Sequence, residues 1–123
     1  MPPADVTVLA LGHRFASLDV EREVLAGLAE VVDGNSLNPE HRQLVLAQAR
    51  AVLLGTRDRL DAPAIAGMEN CRAIVRYGIG VDNVDIAAAT RRGILVSNVP
   101  DYAIQELHRA VGGAQAHARH GVG

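Results

Sequence analysis

The chain has 123 residues, of which 49% are hydrophobic and 21% are charged, a balance typical of one folded domain. A net charge of −2 and very few aromatic residues argue against binding to nucleic acid or to an anionic membrane surface. All twelve basic residues are arginines, which excludes a Walker-type phosphate lysine, a Schiff-base lysine and a lysine general base.

The sequence also bears on the compartment in which the protein works. No apolar run approaches the roughly 20 residues that a membrane-spanning helix needs. The first residues, Met1–Asp5, lack the basic start and apolar stretch of a secretory signal. The single cysteine, Cys71, excludes an internal disulfide. We therefore expect a cytoplasmic protein that does not bind membranes.

Short apolar runs alternate with amphipathic ones, which is typical of a parallel sheet covered by helices. In chain order we predict a strand at Val6–Leu11, a helix at Leu18–Leu28, a strand at Glu30–Asp33, a helix capped by Asn38 with Pro39 at its first position, a strand at Ala51–Leu54, a short helix capped by Asp61, a strand at Ala73–Tyr77, a helix at Asp82–Arg92 and a strand at Ile94–Ser97. The predicted fold is α/β: a flavodoxin-like, doubly wound, parallel five-stranded sheet in three layers.

Helical spacing predicts which apolar side chains face the sheet. The predicted inward residues are Val20, Val24, Leu25 and Leu28 in the first helix, Leu44, Val45 and Ala49 in the second, and Val84, Ile86 and Ala89 in the fourth. Asp82 and Asp85 are interpreted as charges at the start of that fourth helix, and Gly93 as its stop.

Two glycines, Gly78 and Gly80, lie between the fourth strand and the fourth helix. Glycines there let the backbone approach an anion and donate N–H groups to it, although they also suit a simple tight turn, and spacing leaves both readings open. The segment is not the dinucleotide fingerprint G-x-G-x-x-G. Asn83 replaces the third glycine, Asp82 brings a negative charge, and the next strand ends in Asn98 instead of a ribose-binding acid.

Residues 71–102, CRAIVRYGIGVDNVDIAAATRRGILVSNVPDY, resemble the D-isomer-specific 2-hydroxyacid dehydrogenases, a family that includes the 3-phosphoglycerate dehydrogenases and the C-terminal-binding-protein corepressors. The corresponding family segment contains GxGxDNVD, then AxxxGI, then VxNxP. The resemblance implies that residues 1–102 form the flavodoxin-like substrate-binding domain of an NAD-dependent enzyme. That enzyme would interconvert a D-2-hydroxy acid and a 2-oxo acid by hydride transfer.

The same resemblance implies the site residues. The backbone of Tyr77, Gly78, Ile79 and Gly80 would hold the substrate carboxylate, and Ile79 stands where some family members contact the cofactor. Some members also have an anion-binding arginine after the third strand. Gly55 and Thr56 occupy that position here, and Arg57, displaced by a residue or two, is the candidate for the role.

The family continues into a cofactor domain with G-x-G-x-x-G and a catalytic arginine, acid and histidine, none of which has a counterpart in this sequence. We therefore predict no catalytic residue, no NAD binding and no turnover by this chain alone. Residues 103–123 are predicted to be a truncated interdomain helix and a disordered tail, with the family pattern ending at about Leu107 through truncation or a shifted reading frame. The expected partner is a small 2-hydroxy or 2-oxo acid, with a homodimer possible in the full-length parent.

Three other functions would suit a flavodoxin-like fold. A binding or regulatory module that keeps the fold without the reaction, and binds a small acid or another protein, remains open. A receiver-type signalling domain would need an acidic pair, an aspartate and a lysine, and a flavin carrier would need a hydroxyl-rich phosphate loop; this sequence has none of these at the required positions.

His108, His117 and His120 suit a solvated tail better than a metal site, because no carboxylate or cysteine ligand accompanies them. No metal site is predicted.

Overall fold

The structure is a computed structural model that describes residues 6–77 and 82–99. The elements in chain order are β1 (Thr7–Leu11), α1 (Asp19–Val24), β2 (Glu30–Asp33), a 3-10 turn (Gly34–Ser36), α2 (Pro39–Gln48), β3 (Ala51–Leu54), α3 (Ala62–Ala66), β4 (Ala73–Tyr77), α4 (Ile86–Arg91) and β5 (Leu95–Val99). All five predicted strands are present, with ends that differ by at most two residues.

The strands form one sheet in the order β2-β1-β3-β4-β5, and every neighbouring pair is parallel. This is the predicted flavodoxin-like order, with β1, β3 and β4 in the interior of the sheet. Because helices cover both faces, an interior strand must be apolar along its whole length. All four residues of β3, Ala51–Leu54, are buried, as that requirement demands.

Helices pack on both faces, which confirms the predicted three layers. On one face, Leu18 and Leu25 beside α1 pack with alternate residues of the strands, including Val8 and Leu53. On the other face, α2, α3 and α4 contribute to a second core. The members of that second core include Leu9, Leu46, Ile65, Met68, Ile74, Ala88 and Ala89.

The predicted helix caps at Asn38 and Asp61 are confirmed. The Asn38 side chain accepts a hydrogen bond from the His41 N–H at 2.8 Å, with Pro39 at the first helical position. The Asp61 carboxylate accepts from the Ala64 N–H at 3.1 Å. Each cap satisfies an N–H group that would otherwise lack a partner in the first turn.

The predicted start of the fourth helix at Asp82 was wrong, because α4 begins at Ile86 with Asp85 as its cap. Asp85 accepts from the Ala88 N–H at 3.0 Å, whereas Asp82 lies outside the helix. Val84 instead forms a parallel bridge with Leu60. Leu60 and Val84 lie far apart in the sequence, so local spacing could not show this pairing.

Three apolar side chains that were predicted to face the sheet are exposed: Val20, Leu44 and Ile86. In α2 and α4 a different residue is buried, two positions further along: Leu46 after Leu44, and Ala88 after Ile86. Residues two apart in a helix point about 200° apart, so both cannot face the sheet. The first helix also ends at Val24, before the predicted Leu28.

None of the helices within residues 6–77 and 82–99 is long and apolar enough to cross a membrane. The predicted helix and tail at 103–123 lie outside the described residues.

Candidate functional site

All five strands run in the same direction, so their carboxyl ends and the loops that follow them meet at one edge of the sheet. Two of these loops touch closely. A Cβ atom built on Gly55, after β3, would lie 2.3 Å from the carbonyl oxygen of Gly12, after β1. The Arg57 N–H donates to that same Gly12 oxygen at 3.2 Å. Glycine is therefore required at position 55 because the two backbones are in contact.

We call the group formed by Gly12, His13, Asp33 and Asn35 the β1–β2 corner. The Phe15 N–H donates to His13 Nδ1 at 3.2 Å, so the other ring nitrogen, Nε2, carries the hydrogen in the neutral ring. That nitrogen lies 2.8 Å from Asp33 Oδ1. Both ring nitrogens of the buried His13 are thus occupied by partners within the protein.

Asn35 completes this corner. Its side-chain oxygen accepts from the Gly12 N–H at 2.8 Å and its amide nitrogen donates to the His13 carbonyl at 2.9 Å. Burial by itself raises the pKa of Asp33, but hydrogen bonds from His13 and from the Asn35 N–H, with the electrostatic effect of His13 and Arg22, bring that pKa below its ordinary value of 3.8. The corner is a closed hydrogen-bonded unit.

We call the group formed by residues 55–60 and 82–84 the β3–β4 corner. It borders an open depression of about 300 Å³ that is lined by polar and charged residues. The lining residues are Thr56, Arg57, Asp58, Arg59, Asp82 and Asn83. Arg42 from α2 holds the loop from outside through an ion pair with Asp58 at 2.7 Å. A second groove, of about 270 Å³ between α2 and α3, contains none of the predicted site residues.

Tyr77, the last residue of β4, is buried on the same face of the sheet as α1. Its hydroxyl donates to the buried Glu21 carboxylate at 3.4 Å, and its ring meets Phe15 edge-on at 5.5 Å between ring centroids. The Tyr77 side chain is therefore part of the core. The other predicted residues of that loop, Gly78, Ile79 and Gly80, lie outside the described residues.

A model of the D-isomer specific 2-hydroxyacid dehydrogenase catalytic domain matches residues 19–107, well over half of the sequence. The chain belongs to this family. The chain is 35% identical over 100 residues to D-3-phosphoglycerate dehydrogenase of Mycobacterium leprae, which covers 78% of this chain and 18% of that protein. It is 36% identical over 75 residues to the human D-3-phosphoglycerate dehydrogenase, covering 61% of this chain and 14% of the human protein.

Solved structures of this dehydrogenase family share the fold. The NAD⁺-bound 3-phosphoglycerate dehydrogenase of Entamoeba histolytica superposes with a TM-score of 0.67 and 29% identity, covering 77% of this chain and 33% of that one. A 2-hydroxyacid dehydrogenase from Ketogulonicigenium vulgare gives a TM-score of 0.63 and 27% identity, covering 96% of this chain and 40% of that one. The chain thus spans less than half the length of these members of the family.

The described residues do not fit the pyrophosphate of a dinucleotide. The N-terminus of α4 is already occupied by the Asp85 carboxylate, and the exposed Asp82 adds a second negative charge nearby. Asn83, in the place of the third glycine of the fingerprint, is buried and bonded to the β3–α3 loop. Within residues 6–77 and 82–99 there is also no cluster of three side chains that could bind a metal.

Sequence reasoning missed two residues of this edge. The pairing of His13 with Asp33 depends on β2 lying beside β1, so the spacing of these residues in the sequence does not indicate it. Asn83 is identifiable in the sequence only as a replacement for a glycine of the fingerprint, although its place in the family motif GxGxDNVD is a signal for a specific role. Cys71 is buried, and burial raises the pKa of its thiol to about 12.

Proposed function

We propose that this chain is the substrate-binding part of an NAD-dependent D-2-hydroxyacid dehydrogenase, and that it performs no turnover by itself. The complete enzyme would interconvert a D-2-hydroxy acid and a 2-oxo acid. Membership of the family supports the proposal, as does the short span of the chain relative to its relatives. NAD, which the Entamoeba structure contains, would be held by a cofactor domain, because the described residues do not fit it.

The observation that carries the proposal is the charge and position of the β3–β4 corner. Arg42 neutralises Asp58, which leaves Arg57 and Arg59 facing Asp82 around the depression. The balance therefore favours an anion. β4 ends at Tyr77 on this same edge, so the chain enters the predicted glycine loop beside those arginines. A small carboxylate could use the N–H groups of Gly78, Ile79 and Gly80 and the charge of Arg57 together.

The test of substrate binding is a titration of ¹⁵N-labelled full chain with pyruvate, a simple 2-oxo acid. We expect the amides of Gly78, Gly80 and Arg57 to shift in a saturable manner. Gly80→Val places a branched side chain over the donor N–H groups and should abolish these shifts. The control is Gly67→Val, because a Cβ atom on Gly67 meets nothing closer than 3.5 Å. Shifts that leave Gly78 and Gly80 unmoved would place the carboxylate elsewhere.

The second candidate function is a module that binds a small acid or another protein without any reaction. It is favoured by the acid-capped start of α4, which does not fit the pyrophosphate of a dinucleotide. The two candidates differ in whether a cofactor domain restores turnover. We expect no change in nicotinamide absorbance with the 123-residue chain, NAD and a 2-hydroxy acid, because these residues contain no counterpart of the fingerprint G-x-G-x-x-G and of the histidine that the family resemblance implies. Addition in trans of the remaining part of the Mycobacterium leprae relative should restore some oxidation. Turnover by the pure chain alone would contradict the proposal.

We extend the proposal to the setting of the protein. The single buried cysteine is compatible with the reducing cytoplasm, and the small net charge supports a small-molecule partner over nucleic acid or membrane. A homodimer is proposed only for the full-length parent.

A further inference from the structure

The Asn83 side chain joins two segments of the β3–β4 corner. Its amide nitrogen donates to the Gly55 carbonyl and to the Asp58 carbonyl, each at 3.0 Å. Thr56 and Arg57 lie between those two carbonyls in the sequence. Both hydrogens of one amide group therefore fix the two ends of the turn that presents Arg57.

The orientation of this amide is determined by its partners. If the group were flipped, its oxygen would face two carbonyl oxygens, which repel it. The observed orientation leaves Asn83 Oδ1 buried without a hydrogen-bond partner, and it is the one such buried side-chain atom in the described part of the chain. Asn83 is itself only 7% exposed. A buried acceptor without a partner is costly, so the two hydrogen bonds that the Asn83 amide nitrogen donates must offset that cost.

Backbone hydrogen bonds strengthen the same connection. The Leu60 N–H donates to the Asn83 carbonyl at 2.8 Å, and the Asp85 N–H donates to the Leu60 carbonyl at 2.9 Å. On its other side the loop contacts Gly12 through Gly55 and Arg57. The Arg57 turn is thus held between β1 and the segment that follows the glycine loop.

From this geometry we infer that Asn83 is a positioning residue that couples the Arg57 turn to the segment leading into α4, so that Arg57 keeps a fixed place at the β3–β4 corner. The inference rests on the proposed function, because the place of Arg57 matters for binding only if Arg57 contacts the carboxylate.

The test uses Asn83→Asp in the full chain, a change that keeps the shape but replaces two donors with acceptors. Asn70→Asp, at an exposed turn, is the control for the added charge. At pH 7.5 we expect the hydrogen-exchange protection of the Arg57 and Leu60 amides to fall about tenfold or more, with β1 and β3 amides unchanged. Pyruvate affinity should fall by a similar factor.

Lowering the pH gives a readout that general destabilisation would not produce. Protonation lets the introduced carboxyl donate one hydrogen bond, so Asn83→Asp should partly recover its Arg57 protection near pH 5, relative to intrinsic exchange rates. The charged neighbours of that carboxyl, Arg57, Asp58, Arg59 and Asp82, are the same in the unaltered chain, which serves as the pH reference.

Three results would overturn the inference: unchanged Arg57 protection, an equal loss of protection throughout the sheet, or unchanged pyruvate affinity in a chain that does bind pyruvate. If the unaltered chain does not bind pyruvate, the proposed function is wrong, and the exchange rates alone still decide whether Asn83 couples the two segments.

Discussion

At the β1–β2 corner both ring nitrogens of His13 have partners, whereas at the β3–β4 corner the Oδ1 atom of Asn83 has none. The first corner closes on itself through Asp33 and Asn35 and leaves no polar group of the histidine ring for a ligand. The second borders an open, charged depression and carries an acceptor without a partner. This difference is consistent with the proposed function, in which one corner provides rigidity and the other binds the substrate, although both lie on the same edge of one sheet.

Cys71, a buried residue of the second core just before β4, provides a reference for both corners. We expect its thiol to react very slowly in the folded chain. Burial raises the pKa of its thiol from 9.0 to about 12, which lowers the thiolate fraction about a thousandfold. Labelling by a maleimide at pH 8 should therefore be slower by about that factor than in urea. Because the folded pKa is the higher one, stability should also fall as the pH rises above 9. Fast labelling of the folded chain would mean that the interior opens readily.

Gly55→Ala should break the contact between the two corners. The added Cβ would lie 2.3 Å from the Gly12 oxygen, where neither backbone can move without disturbing a strand end. We expect a loss of about 2–3 kcal/mol in the free energy of unfolding, as in overpacked cores. Urea unfolding followed by circular dichroism measures it. Gly67→Ala, which meets only ordinary contacts, should change stability by less than about 1 kcal/mol. Equal effects at positions 55 and 67 would refute the close contact.

Asp33→Asn tests the closed corner. Because the pKa of Asp33 is lowered by folding, its charge stabilises the native state above the unfolded pKa, and that stabilisation is lost as the pH falls through the folded pKa. The variant should be less stable by about 0.5–1 kcal/mol near pH 6, after allowance for screening, and the difference should shrink as the pH falls through the folded pKa of Asp33. Thermal unfolding at pH 6 and at lower pH measures it. Asp19→Asn, at an exposed side chain outside this corner, is the control.

Arg57→Ala should give the smallest change in stability and thereby sharpen the contrast. The exposed side chain contributes to no core, so the free energy of unfolding should stay within about 0.5 kcal/mol. The affinity for pyruvate should nevertheless fall about three- to tenfold, as expected for the loss of one charge near a partly solvated carboxylate. Arg91→Ala on α4 is the matched control. If both variants bind pyruvate equally, Arg57 has no part in the site.

Features that depend on neighbouring residues could be predicted from the sequence. The caps at Asn38 and Asp61, the apolar run of β3 and the strand order all follow from local chemistry and packing rules. The exposure of Leu44 and Ile86 could not be predicted, since apolar residues on both sides of a short helix do not reveal which side meets the sheet. Contacts that require the finished sheet, such as His13 with Asp33 and Asn83 with Gly55, were also out of reach.

The strand order has a consequence for the path by which the chain folds. After β1 and β2 have paired, β3 joins the free edge of β1, and then β4 joins β3 and β5 joins β4. During synthesis the nascent chain can therefore extend the sheet in one direction without inserting a strand between two that are already paired. The closed corner can form once β1 and β2 have emerged from the ribosome, because His13, Asp33 and Asn35 all lie within that first segment. The Arg57 turn can reach its final position only after Asn83 has been synthesised, so the β3–β4 corner is completed late.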